Sequence, residues 1–217
     1  SNLIKQYLLN KKSLVIDIGS NDGTLLSGFK KKCKILGIEP TDTAKIARTN
    51  GINTIQDFTN EKLAKKIVNK YGKADLITAT NVFAHMADLG KVLRSIEILL
   101  NDNGHFVLEN HYLLDIIKDL QFDSIYHEHV RTYSLKPIIK LFSFYDLKVI
   151  KVERASRYGG NIRVHVAKNF NEKIHQSVQN TLDLEENFGL YKDFVYKKFS
   201  KDVLRSKKLL LNFINPD

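Results

Sequence analysis

Two hydrophobic periodicities alternate through the first two-thirds of the chain. Ser13-Leu14-Val15-Ile16-Asp17-Ile18 is β-branched and almost unbroken in its apolar run, the pattern of a strand buried on both faces. It stops at Gly19-Ser20-Asn21-Asp22-Gly23, and Leu25, Leu26 and Phe29 follow at helical spacing. Lys34-Ile35-Leu36-Gly37-Ile38, Asn53-Thr54-Ile55, Asp75-Leu76-Ile77-Thr78-Ala79-Thr80 and His105-Phe106-Val107-Leu108-Glu109 predict four more strands. Between them, 41–50, 60–71 and 89–100 predict helices, the first two stopped by Gly51 and Gly72. The third ends in a predicted turn, Asn101-Asp102-Asn103-Gly104. Strand–helix repetition of this kind predicts a doubly wound α/β fold with a parallel sheet covered on both faces.

The pattern changes after Tyr133. Residues 134–145 predict a helix with Ser134 as its cap and Pro137 in its first turn. Residues 147–155 and 161–167 then predict two strands joined through Arg157-Tyr158-Gly159-Gly160, an antiparallel hairpin. Residues 172–213 mix Lys and Leu in a wholly helical pattern. A parallel sheet closed by an antiparallel hairpin is the Rossmann-like layout of class I methyltransferases. Residues 1–168 are expected to form that domain and 169–217 a helical C-terminal extension.

Composition narrows the classes. The 217 residues are 43% hydrophobic and 27% charged, as in a globular protein rather than a disordered chain. Cys33 is the single cysteine, which excludes an internal disulfide framework and a multi-cysteine zinc site. No apolar run reaches the roughly 18–20 residues of a membrane-spanning helix, and 1–5 lacks a signal-peptide core, so a cytoplasmic protein without a membrane partner is expected. The net charge of +10 is spread along the whole length, with abundant Asn and Ile. That is the look of a compositional bias rather than of a nucleic-acid surface, and nucleic acid is not an expected partner. A phosphorylated small substrate would use the same positive field.

In a doubly wound sheet, ligands bind beyond the carboxyl ends of the strands. Asp17, Gly19, Ser20, Asn21 and Gly23 follow the first strand as acidic-x-Gly-x-x-x-Gly, which is not the dinucleotide fingerprint. Asp17 suits an ammonium group better than a pyrophosphate. Glu39 and Pro40 end the second strand, where a carboxylate can accept both hydroxyls of a ribose. Gln56 and Asp57, with Phe58, follow the third strand and can hold an adenine. Asn81-Val82-Phe83-Ala84-His85 follows the fourth, with Asn81 beside the cofactor position and His85 facing the cleft. Glu109-Asn110-His111-Tyr112 follows the fifth.

The densest polar cluster is Asp123-Ser124-Ile125-Tyr126-His127-Glu128-His129. Its residue types suit acid–base work: a near-neutral histidine removes a proton, a glutamate orients it and a tyrosine or second histidine holds negative charge. A metal held by His127 and His129 lacks a third ligand and the helical His-Glu-x-x-His spacing. An idle surface loop is the plainest alternative.

Five segments in register resemble the nucleotide-sugar C-methyltransferases of deoxysugar pathways, which use S-adenosylmethionine. They are Ser20-Asn21-Asp22-Gly23, Gly37-Ile38-Glu39-Pro40, Asn81-Val82-Phe83-Ala84-His85, Ile125-Tyr126-His127-Glu128-His129 with Tyr133-Ser134-Leu135, and Gly159-Gly160-Asn161-Ile162-Arg163-Val164. The resemblance implies methylation of carbon 3 of a 4-keto-6-deoxy nucleotide sugar. It implies His129 as general base, Glu128 as the group that orients it, and Tyr126 and His85 as sugar-binding or enolate-holding residues. No metal is implied. Gly159-Gly160 permit close approach and suit either a wall of the site or a bare hairpin turn, and Arg157 and Arg163 suit either a diphosphate or plain solvation. The family carries a cysteine-rich zinc domain before this core and a nucleotide-binding-like domain after it. Neither is expected here, and 172–213 is expected to lead towards the second. A core fragment and a naturally compact relative are both open. O- or N-methylation of a small molecule, and a cofactor-binding module inactive without flanking domains, are the competing functions. The absence of Asn-Pro-Pro-Tyr after the fourth strand argues against amino methylation of nucleic acid.

Overall fold

The computed structural model describes residues 2–215. Its sheet has seven strands: β1 (Leu14–Ile18), β2 (Lys34–Ile38), β3 (Thr54–Ile55), β4 (Ala74–Thr80), β5 (Leu100–His111), β6 (Lys148–Ala155) and β7 (Asn161–Ala167). Their order across the sheet is β3-β2-β1-β4-β5-β7-β6. All pairs are parallel except those made by β7, which lies antiparallel between β5 and β6. This is the class I methyltransferase sheet.

The helices are α1 (Asn2–Gln6), α2 (Thr24–Ser27), α3 (Thr43–Thr49), α4 (Glu61–Tyr71), α5 (Leu89–Leu99), α6 (Leu113–Lys118), α7 (Leu135–Ser143), α8 (Gln176–Phe188) and α9 (Asp193–Ile214). Two apolar layers result from the alternation of side chains along each strand. Ile16, Ile77, Phe106 and Leu108 pack on one face with Leu63, Leu93, Ile96 and Phe142. Val15, Leu76 and Val107 pack on the other with Leu26, Phe29 and Ala47. Asn60 caps α4 by accepting from the Leu63 N–H at 2.9 Å, and Asp88 caps α5 by accepting from Lys91 at 3.1 Å.

The sequence reading needs three corrections. Asn101–Gly104 is not a free turn after α5 but part of the long strand β5. Leu100 pairs with Ala74 and His105 with Leu76, so the intervening residues form a bulge opposite Asp75, fastened by the Asn101 amide on the Asp75 carboxylate at 2.7 Å. Residues 172–213 are two helices, divided where Gly189 takes φ 76° and closes α8. The helix predicted over 41–50 starts at Thr43, because Thr41 is held by Glu39.

Ser134 supplies no side-chain cap to α7. Glu185 of α8, fully buried, accepts instead from the Leu135 N–H at 2.6 Å and from the Tyr112 hydroxyl at 2.9 Å, and bonds Tyr191 as well. One carboxylate thus joins the end of β5, α7 and the turn beyond α8. None of the described helices is long and apolar enough to cross a membrane.

Candidate active site

A cleft of about 580 Å³ opens beyond the carboxyl ends of β1, β2 and β4, bordered by Gly19, Glu39, Pro40, Phe58 and His85. Gly19 has φ 70°, and a Cβ there would overlap Val82, so the turn after β1 admits only glycine. Gly23, at φ 82°, similarly leaves room for Ile52. Glu39 is 6% exposed, with both oxygens oriented. Oε2 accepts from the Asn21 N–H at 3.0 Å, and Oε1 accepts from the Thr41 N–H at 2.9 Å and its hydroxyl at 2.7 Å. Oε1 then has both lone pairs engaged, and Oε2 keeps one free to accept from a hydroxyl. Ser20 is buried against Gly37, and its Oγ has no hydrogen-bond partner among the described residues.

Of the expected cofactor residues, Asp17, Gln56, Asp57 and Asn81 lie off the lining of the cleft. Asp17 is below the floor of the cleft, 3% exposed, and accepts from the Thr78 hydroxyl at 2.6 Å. Burial pushes its carboxyl up to about 7, against the Thr78 bond, with Glu39 adding to the rise. Gln56 is exposed and tied back to Asp42 at 3.0 Å and Arg48 at 3.2 Å. Asp57 bonds the N–H of Phe58 at 2.8 Å. The chain turns outward after the two-residue strand β3, so it is Phe58 that reaches the cleft. Asn81 takes φ 54° and accepts from the Asn161 amide at 3.2 Å, joining the end of β4 to the start of β7.

His85 stands on a single 3-10 turn, Phe83–His85, and marks where the cleft meets the polar cluster. The 126–133 segment is fastened to that turn along its length. Val130 N–H donates to the Ala84 carbonyl at 3.0 Å, Arg131 to the Ala87 carbonyl at 3.0 Å, and Tyr133 hydroxyl to the Phe83 carbonyl at 3.1 Å. His85 Nδ1 meets the Glu128 carbonyl at 3.0 Å, and His129 Nδ1 meets the Ser124 carbonyl at 2.9 Å. A carbonyl only accepts, so each ring carries a proton on Nδ1, and in its neutral form a lone pair on Nε2. His129 Nε2 accepts from the Tyr126 hydroxyl at 2.9 Å. The rings of His85 and His129 are 4.9 Å apart, and those of Tyr126 and His129 4.1 Å.

The carboxylate of Glu128 does not orient His129. It is largely exposed, 3.8 Å from His127 Nε2, and the Ser124 carbonyl does the orienting instead. His127 turns to solvent, 90% exposed at its side chain, away from His129. His111, at the end of β5, completes the cluster, with its ring 5.5 Å from His129 and 6.1 Å from Tyr158. Its position after a strand was visible in the sequence, but its approach to His129 depends on the fold of 112–133.

The hairpin wall also differs in part. Gly159 and Gly160 leave room for Gln121 and Asp115, so they seat the hairpin on α6. Arg163 is not available to a diphosphate, because it forks onto Glu109 at 2.8 and 2.7 Å and reaches Glu153 at 3.2 Å.

A methyltransferase domain family matches residues 2–152, and a C-methyltransferase C-terminal domain family matches 156–216. The C-methyltransferase NovU of Streptomyces niveus is 31% identical over 200 residues, covering 91% of this chain and 48% of NovU. The chain therefore spans about half the length of that curated relative. An S-adenosylmethionine-dependent methyltransferase from Clostridium acetobutylicum superposes with a TM-score of 0.60 at 14% identity, over 77% of this chain and 88% of that one. One from Archaeoglobus fulgidus gives 0.59 at 12% identity, over 76% and 91%. At these identities the two structures attest the fold.

Proposed function

Since the chain belongs to the S-adenosylmethionine-dependent methyltransferases, we propose that it methylates carbon next to a ketone, in a 4-keto-6-deoxy nucleotide sugar. The observation that carries this reading is His129. Its proton is held on Nδ1 by the Ser124 carbonyl, and its basic Nε2 lies in the cluster that His85 joins to the cleft. O- or N-methylation of an already nucleophilic atom has less need of such a base.

The residues divide the work. Gly19 gives the cofactor backbone access, Glu39 holds its ribose, and Pro40 and Phe58 flank its adenine. Bound S-adenosylmethionine supplies an electrophilic methyl group, so the accepting carbon gains a C–C bond and the sulfur keeps the bonding pair. In the free site the Tyr126 phenol covers His129 Nε2. A substrate C–H that takes its place gives its proton to Nε2 and leaves its electron pair as an enolate. The released phenol then turns its O–H to the enolate oxygen. Near-attack placement of the two carbons supplies much of the remaining rate.

The test supplies the chain with S-adenosylmethionine and a 4-keto-6-deoxy nucleoside-diphosphate sugar, and locates any added methyl by NMR. A methyl group on the carbon beside the ketone is expected. His129→Asn should lower that rate by about 10²–10⁴-fold while calorimetry shows S-adenosylhomocysteine still bound. An oxygen-methylated product alone, or an unaffected variant, would overturn the reading.

A further inference from the structure

An enolate oxygen held by one donor is poorly stabilised, and sites of this kind commonly present two. Tyr126 is one. Neither His85 nor His129 can be the second in its neutral form, since each uses its only N–H on a backbone carbonyl. We propose that His111 is the second donor: a neutral imidazole, protonated at Nε2, that hydrogen-bonds the developing enolate oxygen. This assignment rests on the ketone reading above.

Three observations place it. His111 ends β5 and stands edge-on to His129, with ring centroids 5.5 Å apart and planes at 88°. Its Nδ1 is buried and has no hydrogen-bond partner, and Nε2 is the ring's open nitrogen. Buried N–H groups without an acceptor are rarer and dearer than buried lone pairs, so the proton belongs on Nε2. A ring so arranged offers an N–H from Nε2, whereas neutral His85 and His129 offer lone pairs there.

The surroundings keep it neutral. Burial holds the His111 imidazole below its ordinary range, and His129 and His85 reinforce this, since a positive charge on His111 would be repelled by charge on either neighbouring ring. A neutral imidazole donor does not release its proton to the enolate. It polarises the oxygen and leaves proton removal to His129.

Two measurements test the assignment. In the free protein, ¹⁵N-histidine NMR at neutral pH should show His111 neutral with its proton on Nε2. An Nδ1–H tautomer or an imidazolium would overturn the proposal. In turnover, His111→Phe should slow both methylation and solvent-deuterium exchange beside the ketone by about 10²–10³-fold. Its thermal midpoint and its affinity for S-adenosylhomocysteine should stay unchanged. His111→Gln, which restores an N–H, should recover about tenfold or more. Unimpaired exchange in His111→Phe, or a loss matched by lost cofactor affinity or stability, would overturn it. Wild-type chain that neither exchanges nor methylates would refute the ketone reading and this assignment with it. An active wild type with an equally active His111→Phe would refute this assignment alone.

Discussion

Asp17 and His165 are both buried and both neutral near pH 5, yet they pull stability in opposite directions. Asp17 titrates near 3.8 when unfolded and about 7 when folded. Between those values the unfolded chain has lost the proton that the fold retains, so stability falls as pH rises through the window. Burial drives the His165 imidazole from 6.5 down to about 4, against the pull of Glu153. Between those values the unfolded chain holds the extra proton, so stability falls as pH drops. The two slopes offset each other. Asp17→Asn removes the first, and its stability in urea should rise from pH 4 to 6.5 by up to about 1.4 kcal/mol per pH unit. The wild type should stay flatter. Glu39 and His129 were legible at this scale, because a carboxylate at a strand end and a histidine amid other ionisable groups are chemical signals. Proton positions were not, since Ser124 and Glu128 act through backbone carbonyls that any residue carries. Gln56 and Asp57 misled because a two-residue strand fixes too little of the chain that follows it.

Helices and strands were read well wherever period and punctuation agreed, as in α4 between Asn60 and Gly72. Reading failed where long-range partners decide the outcome. Asn101–Gly104 has turn chemistry but is captured by Asp75, and α6 lies in a segment whose short apolar run has no room for a period. The start of α7 depends on Glu185, fifty residues away in sequence from Leu135. Removing that carboxylate strands the Leu135 N–H and two tyrosine hydroxyls. Glu185→Ala should therefore cost about 3 kcal/mol or more in urea unfolding. Glu185→Gln, which keeps an acceptor, should cost less. Amide exchange at Leu135 should speed up in the alanine variant.

Across the whole molecule, the parallel sheet closed by an antiparallel hairpin was foreseeable from the strand–helix alternation and the two last strands. The charged lattice on one of its faces was not. Glu109, Arg163, Glu153 and Lys151 link β5, β7 and β6 in one chain of ion pairs. Arg163→Met leaves Glu109, 5% exposed, without its counter-charge, and should destabilise by about 3–5 kcal/mol. Adding Glu109→Gln should restore much of that loss, a non-additivity that a double-mutant cycle in urea would measure. The place of β7 has a further consequence for how the protein is made. β6 has β7 as its single sheet neighbour, and β7 is synthesised after it. On the ribosome, β2, β3, β4 and β5 each find an already made neighbour as they emerge, but β6 must wait for Asn161–Ala167. The same late strand brings Gly160, whose carbonyl receives the Tyr112 N–H at 3.2 Å and ties down the start of the histidine-bearing segment. The cleft can therefore take shape on a nascent chain well before the segment beside it is tied down, and a pause in translation ahead of β7 would leave Tyr112 and the histidines that follow it without that anchor.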